Sequence, residues 1–280
     1  TLTSINNLGD LLQAQGKLNE AEPYLRETLG GRRRVLGDEH PSTLASIENM
    51  GGLLYDQGQP AEAEPYFREA LECFRRTLGA EHPRTLGAIG NMGFLLQGQG
   101  RLAEAEPFVR EVLEVSRATL GDNHPDTLTS INNLGGLLYS QGKPAEAEPY
   151  FREALEGHRR TLGEEHPGTL NSINNMGFLL RVQGKLEEAE PLLREALKGF
   201  RRALGDEHPS TLRSITNLGR LLKQRGKLAE AEALAREAIK LTRQGSPDLA
   251  KRKALLEEIL ALQADAADKP ADQTRESDDG

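Results

Sequence analysis

Six asparagines stand in a register of 42 residues: Asn7, Asn49, Asn91, Asn133, Asn175 and Asn217. A side-chain amide carries donors and an acceptor, as a peptide bond does, so a row of amides can hold the backbone of an extended chain. Asparagine is also a weak helix former, and six in register call for a reason. The competing use is internal, with the same amides bonding neighbouring helices together. In several repeats a second asparagine precedes the first, at Asn6, Asn132 and Asn174. Five histidines, His40, His82, His124, His166 and His208, share the same interval, each before a proline. Stacked one per repeat they lie about 10 Å apart, too far to share a metal whose bonds to nitrogen are near 2 Å. They therefore read as loop and helix-start residues, and His158, outside that series, as a surface residue. No Ser/His/Asp set, phosphate-cradling glycine loop or metal-ligand spacing appears. The expectation is no enzyme, no cofactor, no metal and no small-molecule substrate.

The elements that must position these residues follow from the interval itself. Thr-Leu recurs at Thr1, Thr43, Thr85, Thr127, Thr169 and Thr211, and a fixed period of this size marks a solenoid in which each unit meets only its neighbours. In the repeat 127–168, Leu128, Ile131, Leu134, Leu137 and Leu138 form the apolar stripe of a first helix, here helix A. Gly142 stands where a left-handed cap would end it. A second helix, helix B, runs from about Ala145 to Leu162 with Ala147, Phe151, Ala154 and Leu155 inward. Gly9, Gly51, Gly93, Gly135, Gly177 and Gly219 fall mid-helix A, where glycine costs roughly 1 kcal/mol against alanine; repeated six times, that cost predicts helix B crossing close by. Pro23, Pro65, Pro107, Pro149 and Pro191 are expected within the first turn or so of helix B, because deep inside it each would cost about 3 kcal/mol. Charge pairs such as Glu148/Arg152 mark that helix's outer face as solvated. The arginine pairs Arg75-Arg76, Arg159-Arg160 and Arg201-Arg202 read as paired with nearby acids.

The whole chain of 280 residues carries a net charge of -8, 37% hydrophobic residues and a mean hydropathy of -0.56. This describes a soluble chain with a thin continuous core. No apolar run approaches the roughly 18 residues of a membrane span, so no membrane association is expected. Much of the negative charge lies beyond Asp265. The repeats themselves are near balance, which argues against nucleic acid as a partner. The single cysteine, Cys73, points to a reducing, cytoplasmic setting. The sequence opens inside a repeat, as a piece of a longer protein would.

The Leu-Gly or Met-Gly of helix A, the small residue early in helix B (Ala21, Ala63, Ala105, Ala147, Ala189, Ala231) and the glycine between them resemble the tetratricopeptide repeat. The 42-residue period and an isoleucine early in helix A (Ile5, Ile47, Ile89, Ile131, Ile173, Ile215) narrow the resemblance to the kinesin light chain type. So do NNLG at Asn132, EAEP at Glu20, Glu62, Glu104, Glu146 and Glu188, and LGDEHP at Leu36 and Leu204. The resemblance implies an all-α, right-handed superhelical solenoid of helix-turn-helix repeats, with the asparagine row on a concave groove. It also implies a scaffold or adaptor that binds a protein or peptide partner, as kinesin light chains bind cargo segments with a Trp flanked by acids. On that reading Phe94, Tyr139 and Phe178 offer an apolar anchor. Surface charge drifts from acidic (Asp10, Glu48, Asp56) to basic (Arg181, Arg213, Arg220, Lys223), so Arg181 and Arg220 would meet an acidic stretch. The alternative is a structural sensor arm of a larger signalling protein, fused to a nucleotide-binding switch domain.

The expected organisation is six repeats, 1–42, 43–84, 85–126, 127–168, 169–210 and 211–246. A terminal helix over 247–264 follows, started by Ser246-Pro247-Asp248 as N-cap, first-turn proline and dipole-complementing acid. It should cover the last apolar face of the array. A disordered acidic tail is expected over 265–280.

Overall fold

A computed structural model of the chain describes residues 1–267. The described residues form α-helices and contain no strand, and they fall into two compact units, Thr1–Lys143 and Pro144 onward. The first unit holds three helix pairs, α1 (Leu2–Ala14) with α2 (Leu18–Leu36), α3 (Pro41–Asp56) with α4 (Pro60–Leu78), and α5 (Pro83–Gly98) with α6 (Leu102–Leu120), and then α7 (Pro125–Ser140). Here each helix packs on the next along the chain. In the second unit the order is α8 (Pro144–Leu162), α9 (Pro167–Val182), α10 (Leu186–Leu204), α11 (Pro209–Gln224), α12 (Leu228–Leu241) and α13 (Pro247–Ala267). Consecutive helices again pack together, and α11 also touches α9 and α13. No described helix is long and apolar enough to cross a membrane.

The predicted apolar stripes are the core. Ile47, Met50, Leu53, Ile89 and Leu95 in the first unit, and Ile173, Leu179, Leu193, Phe200 and Ile215 in the second, are buried. Each A helix ends in a Schellman turn built on a left-handed glycine. At α1, for example, Gly16 has φ 75°, its N–H bonds to the Gln13 carbonyl, and that of Lys17 bonds to Leu12. The mid-helix glycines answer to close packing. A Cβ added at Gly9 would stand 2.7 Å from Leu25, one at Gly51 3.0 Å from Phe67, and one at Gly177 2.8 Å from Leu193, each a side chain of the following helix B. Gly219 is the relaxed member, with its nearest atom at 3.7 Å.

Three expectations need correction. Pro23, Pro65, Pro107 and Pro191 occupy the sixth helical position, in the second turn rather than within the first turn or so. In two of these helices a first-turn carbonyl is taken up from outside: Gln99 Nε2 donates to the Pro60 carbonyl at 3.1 Å and Gln141 Nε2 to that of Leu102 at 3.2 Å. His158 is not a surface residue. It is 2% exposed, with Nδ1 2.8 Å from Ser172 Oγ, because its position faces the next A helix as Phe74 and Phe200 do in their repeats. The Glu148/Arg152 pair forms at 2.7 Å, yet the second glutamate of each EAEP string does more than decorate a solvated face. Glu22 accepts from Gln57, Glu64 from Gln99, Glu106 from Gln141 and Glu148 from Gln183, at 2.8–3.4 Å. These bonds span 35 residues and latch each B helix to the end of the next A helix.

The arginines follow a similar rule. Arg33 reaches Glu69 at 2.6 Å, Arg75 reaches Glu111 at 2.6 Å and Arg159 reaches Glu195 at 2.9 Å, each acid lying on the next B helix. Helix α13 continues to Ala267 and so includes Asp265. The rest of the expected disordered tail, from 268, lies outside the described residues.

Candidate peptide-binding faces of the A helices

In the first unit, α1, α3 and α5 line an open cavity of about 800 Å³. It gathers Asn49, Asn91 and Phe94 from the predicted set together with Asp10, Glu48 and Asp56. Phe94 is 61% exposed and leans on Tyr55, ring centroids 5.1 Å apart and tilted by 50°. An exposed ring of this kind is an available apolar anchor. The acids are tied into the array: Asn6 Nδ2 donates to Asp10 at 2.7 Å, Asn49 Nδ2 donates to its other oxygen at 3.1 Å, and Gln13 Nε2 donates to Asp56 at 2.9 Å. Burial raises the Asp10 carboxyl above its ordinary value, although Arg32 and Asn6 oppose it. Burial raises Glu48 too, against the pull of Arg84.

The asparagine row therefore divides. Asn7, Asn91 and Asn133 are exposed and make no side-chain hydrogen bond among the described residues, whereas Asn49 serves an inter-helix bond. In the second unit Asn175 is half-buried, and Asn217 is 7% exposed and donates to Asn174 at 3.3 Å. Of the two uses weighed for these amides, the inter-helix bond is present at Asn49 and Asn217, while Asn7, Asn91 and Asn133 are left exposed. Tyr139, on α7, is half-buried.

Phe178 and Arg181 of α9, expected to play separate parts, form a single unit: the Arg181 guanidinium lies over the Phe178 ring, 5.2 Å from its centroid. Such stacking holds a cation in place while leaving its donors directed outward. Arg213 Nη2 donates to Asn171 Oδ1 at 2.6 Å, and Lys223 pairs with Glu258 of α13 at 2.5 Å. Arg220 makes no hydrogen bond or ion pair among the described residues.

The histidine series holds a role its spacing did not reveal. In each case Nδ1 accepts the backbone N–H two residues on: His40 from Ser42 at 3.1 Å, His82 from Arg84 at 3.2 Å, His124 from Asp126 at 3.2 Å, His166 from Gly168 at 3.0 Å and His208 from Ser210 at 3.1 Å. Imidazole here does the work that Ser, Thr or Asp usually does at an N-cap, and it fixes the start of every A helix after the first.

The tetratricopeptide repeat profile matches residues 1–76, 43–86, 83–160, 131–181 and 168–244 in turn. The chain belongs to the tetratricopeptide repeat family. Among solved structures, this tetratricopeptide chain is similar to the kinesin-light-chain-type protein of Podosopora anserina with nearly identical TPR-like repeats. That match has 26% identity over 72% of this chain and 96% of that one, with a TM-score of 0.64. BtubC from P. vanneervenii matches at 21% identity over 94% and 97%, TM-score 0.62. A Rap protein complexed with Competence and Sporulation Factor matches at 16% identity over 93% and 75%, TM-score 0.61. The last two share the tetratricopeptide fold. No curated protein matches the chain. Tetratricopeptide arrays are protein-interaction scaffolds, and the kinesin light chain likeness expected from the 42-residue period holds.

Proposed function

We propose that this chain is an adaptor that binds an extended segment of a partner protein along the A-helix faces, through amides, exposed rings and arginines. The observation that carries the reading is the open cavity of α1, α3 and α5, in which the unbonded amide of Asn91 and the exposed ring of Phe94 share one surface. A peptide backbone needs alternating donors and acceptors, which Asn7, Asn91 and Asn133 supply. A bulky apolar side chain needs an exposed ring to cover, and Phe94 offers one. On the second unit, Arg181 and Arg220 present cations to an acidic stretch. Asn49, Asn175 and Asn217 then act by holding the A helices in register, and Tyr139 and Phe178 add apolar surface, each to its own unit.

The chain contains no tryptophan, which gives the test a clean signal. A peptide with one Trp among acids is titrated with the protein while its indole emission is followed. Saturable change, weakened several-fold in Asn91→Ala or Phe94→Ala, is the expected result. A flat titration, or affinity indifferent to both substitutions, would refute the reading and favour the sensor-arm alternative.

A further inference from the structure

In the second unit, α11 and the terminal helix α13 enclose a cleft of about 350 Å³. Four cations line it, Arg213 and Arg220 from α11 and Lys251 and Arg252 from α13, with a single carboxylate, Asp248. That carboxylate is already engaged by Lys251 at 3.3 Å. Arg252 is 6% exposed, yet its close partners are neutral: Nε donates to the Thr216 hydroxyl at 3.4 Å, Nη1 donates to the Thr242 hydroxyl, and Asp248 stands 4.0 Å from its remaining nitrogen. Arg213 has only the amide of Asn171. Burial lowers the Arg252 guanidinium pKa below the ordinary range, although Asp248 opposes it. A buried cation without a close counter-ion is costly to maintain, and a covering helix needs apolar residues, not cations, on the face that it lays against its neighbour.

We infer that the α11–α13 cleft is a binding site for paired carboxylates of an acidic partner segment, and that α13 is part of the recognition surface as well as a cover for the array. Guanidinium forks suit carboxylate oxygens two by two. Thr216 and Thr242 pre-set the Arg252 fork, and Arg220, half-exposed, supplies a second one. The site rests on the reading that A-helix faces bind a partner, and it places the acidic part of that partner at the C-terminal end of the described array.

The test has two arms. The first uses the full chain with succinate, a free dicarboxylate, and follows the Nε–Hε NMR signals of Arg213, Arg220 and Arg252. Saturable shifts of these signals, abolished in Arg220→Glu, are expected; no shift would overturn the site whatever becomes of peptide binding. The second compares Trp-containing peptides bearing two adjacent Glu, two Gln, or phosphoserine beside Gln. The Glu peptide should bind about tenfold or more tightly than the Gln peptide, a gap that Arg220→Glu removes. Equal affinity for Glu and Gln peptides would overturn the inference while leaving groove binding intact. Binding of the phosphoserine peptide alone would overturn the carboxylate assignment. Succinate shifts without binding of any peptide would sustain the cleft and sink the groove. Arg220 is half-exposed and unpaired, so its reversal leaves the fold unchanged, which circular dichroism verifies.

Discussion

Replacing Glu190 with Gln should remove the strongest of the latches between repeats. The Glu190 side chain is 10% exposed and accepts from three cations, Arg194 at 2.8 Å, Lys227 at 2.9 Å and Arg225. These partners outweigh the cost of its burial and hold the carboxyl at about 2, against an ordinary 4.5. A carboxylate held that far down stabilises the folded chain by about 3 kcal/mol at neutral pH. Because the folded value is the lower one, this stability is present above pH 4.5 and drains away as pH falls toward 2, with about 1 kcal/mol left at pH 3. Water around the half-exposed arginine and lysine ends trims the neutral-pH figure, so Glu190→Gln should cost about 2–3 kcal/mol at pH 7. Urea titrations followed by helical circular dichroism at pH 7, 4.5 and 3 measure it. A loss under about 0.5 kcal/mol at pH 7 would refute the argument, and so would a loss that stays constant down to pH 3.

Gly177→Ala should destabilise by more than 1 kcal/mol, since the new methyl meets Leu193 at 2.8 Å, whereas Gly219→Ala, with 3.7 Å of clearance, should be neutral or gain up to about 1 kcal/mol from helix propensity; thermal melts of the two variants separate the cases. His208→Ala removes the cap on α11 and should cost about 1 kcal/mol, which His208→Asp restores in the same melts. Glu48→Gln should stabilise the chain at pH 7: burial raises this carboxyl, so its charged form weakens the fold as pH rises through the raised value. That gain should vanish at pH 4, and a variant stabilised equally at both pH values would contradict it.

The helices were legible because the apolar stripe and the three glycine positions recur, and repetition lifts a weak local signal above ambiguity. The mid-helix glycines announced the close crossing of helix B, which Leu25 and Leu193 provide. Bonds between repeats were less legible. Glu148 looked like half of a local pair because Arg152 lies one turn away, while its partner Gln183 is 35 residues on; the periodic glutamine at Gln57, Gln99, Gln141 and Gln183 was the available clue. His158 misled because its type suggested water, although its register, shared with Phe74 and Phe200, is a core register. On the candidate site, sequence located the asparagine row but not its division of labour, since Asn91 and Asn217 differ in neighbours rather than in register. The α11–α13 cleft was hidden because Lys251 and Arg252 belong to a helix outside the period.

The latches carry an evolutionary consequence. Four of them depend on a glutamate and on a glutamine 35 residues later, with Arg225 in the glutamine's place opposite Glu190, and the positions recur at the repeat interval. Excising residues 43–84 would bring Gln99 to Glu22 and Glu111 to Arg33, replacing each lost bond with one of the same chemistry. Insertion of a whole repeat preserves the joints in the same way. A gene encoding this chain can therefore lengthen or shorten its product by unequal crossing-over and keep these latches at the new joint, so reach becomes a trait that selection can adjust while the latches persist.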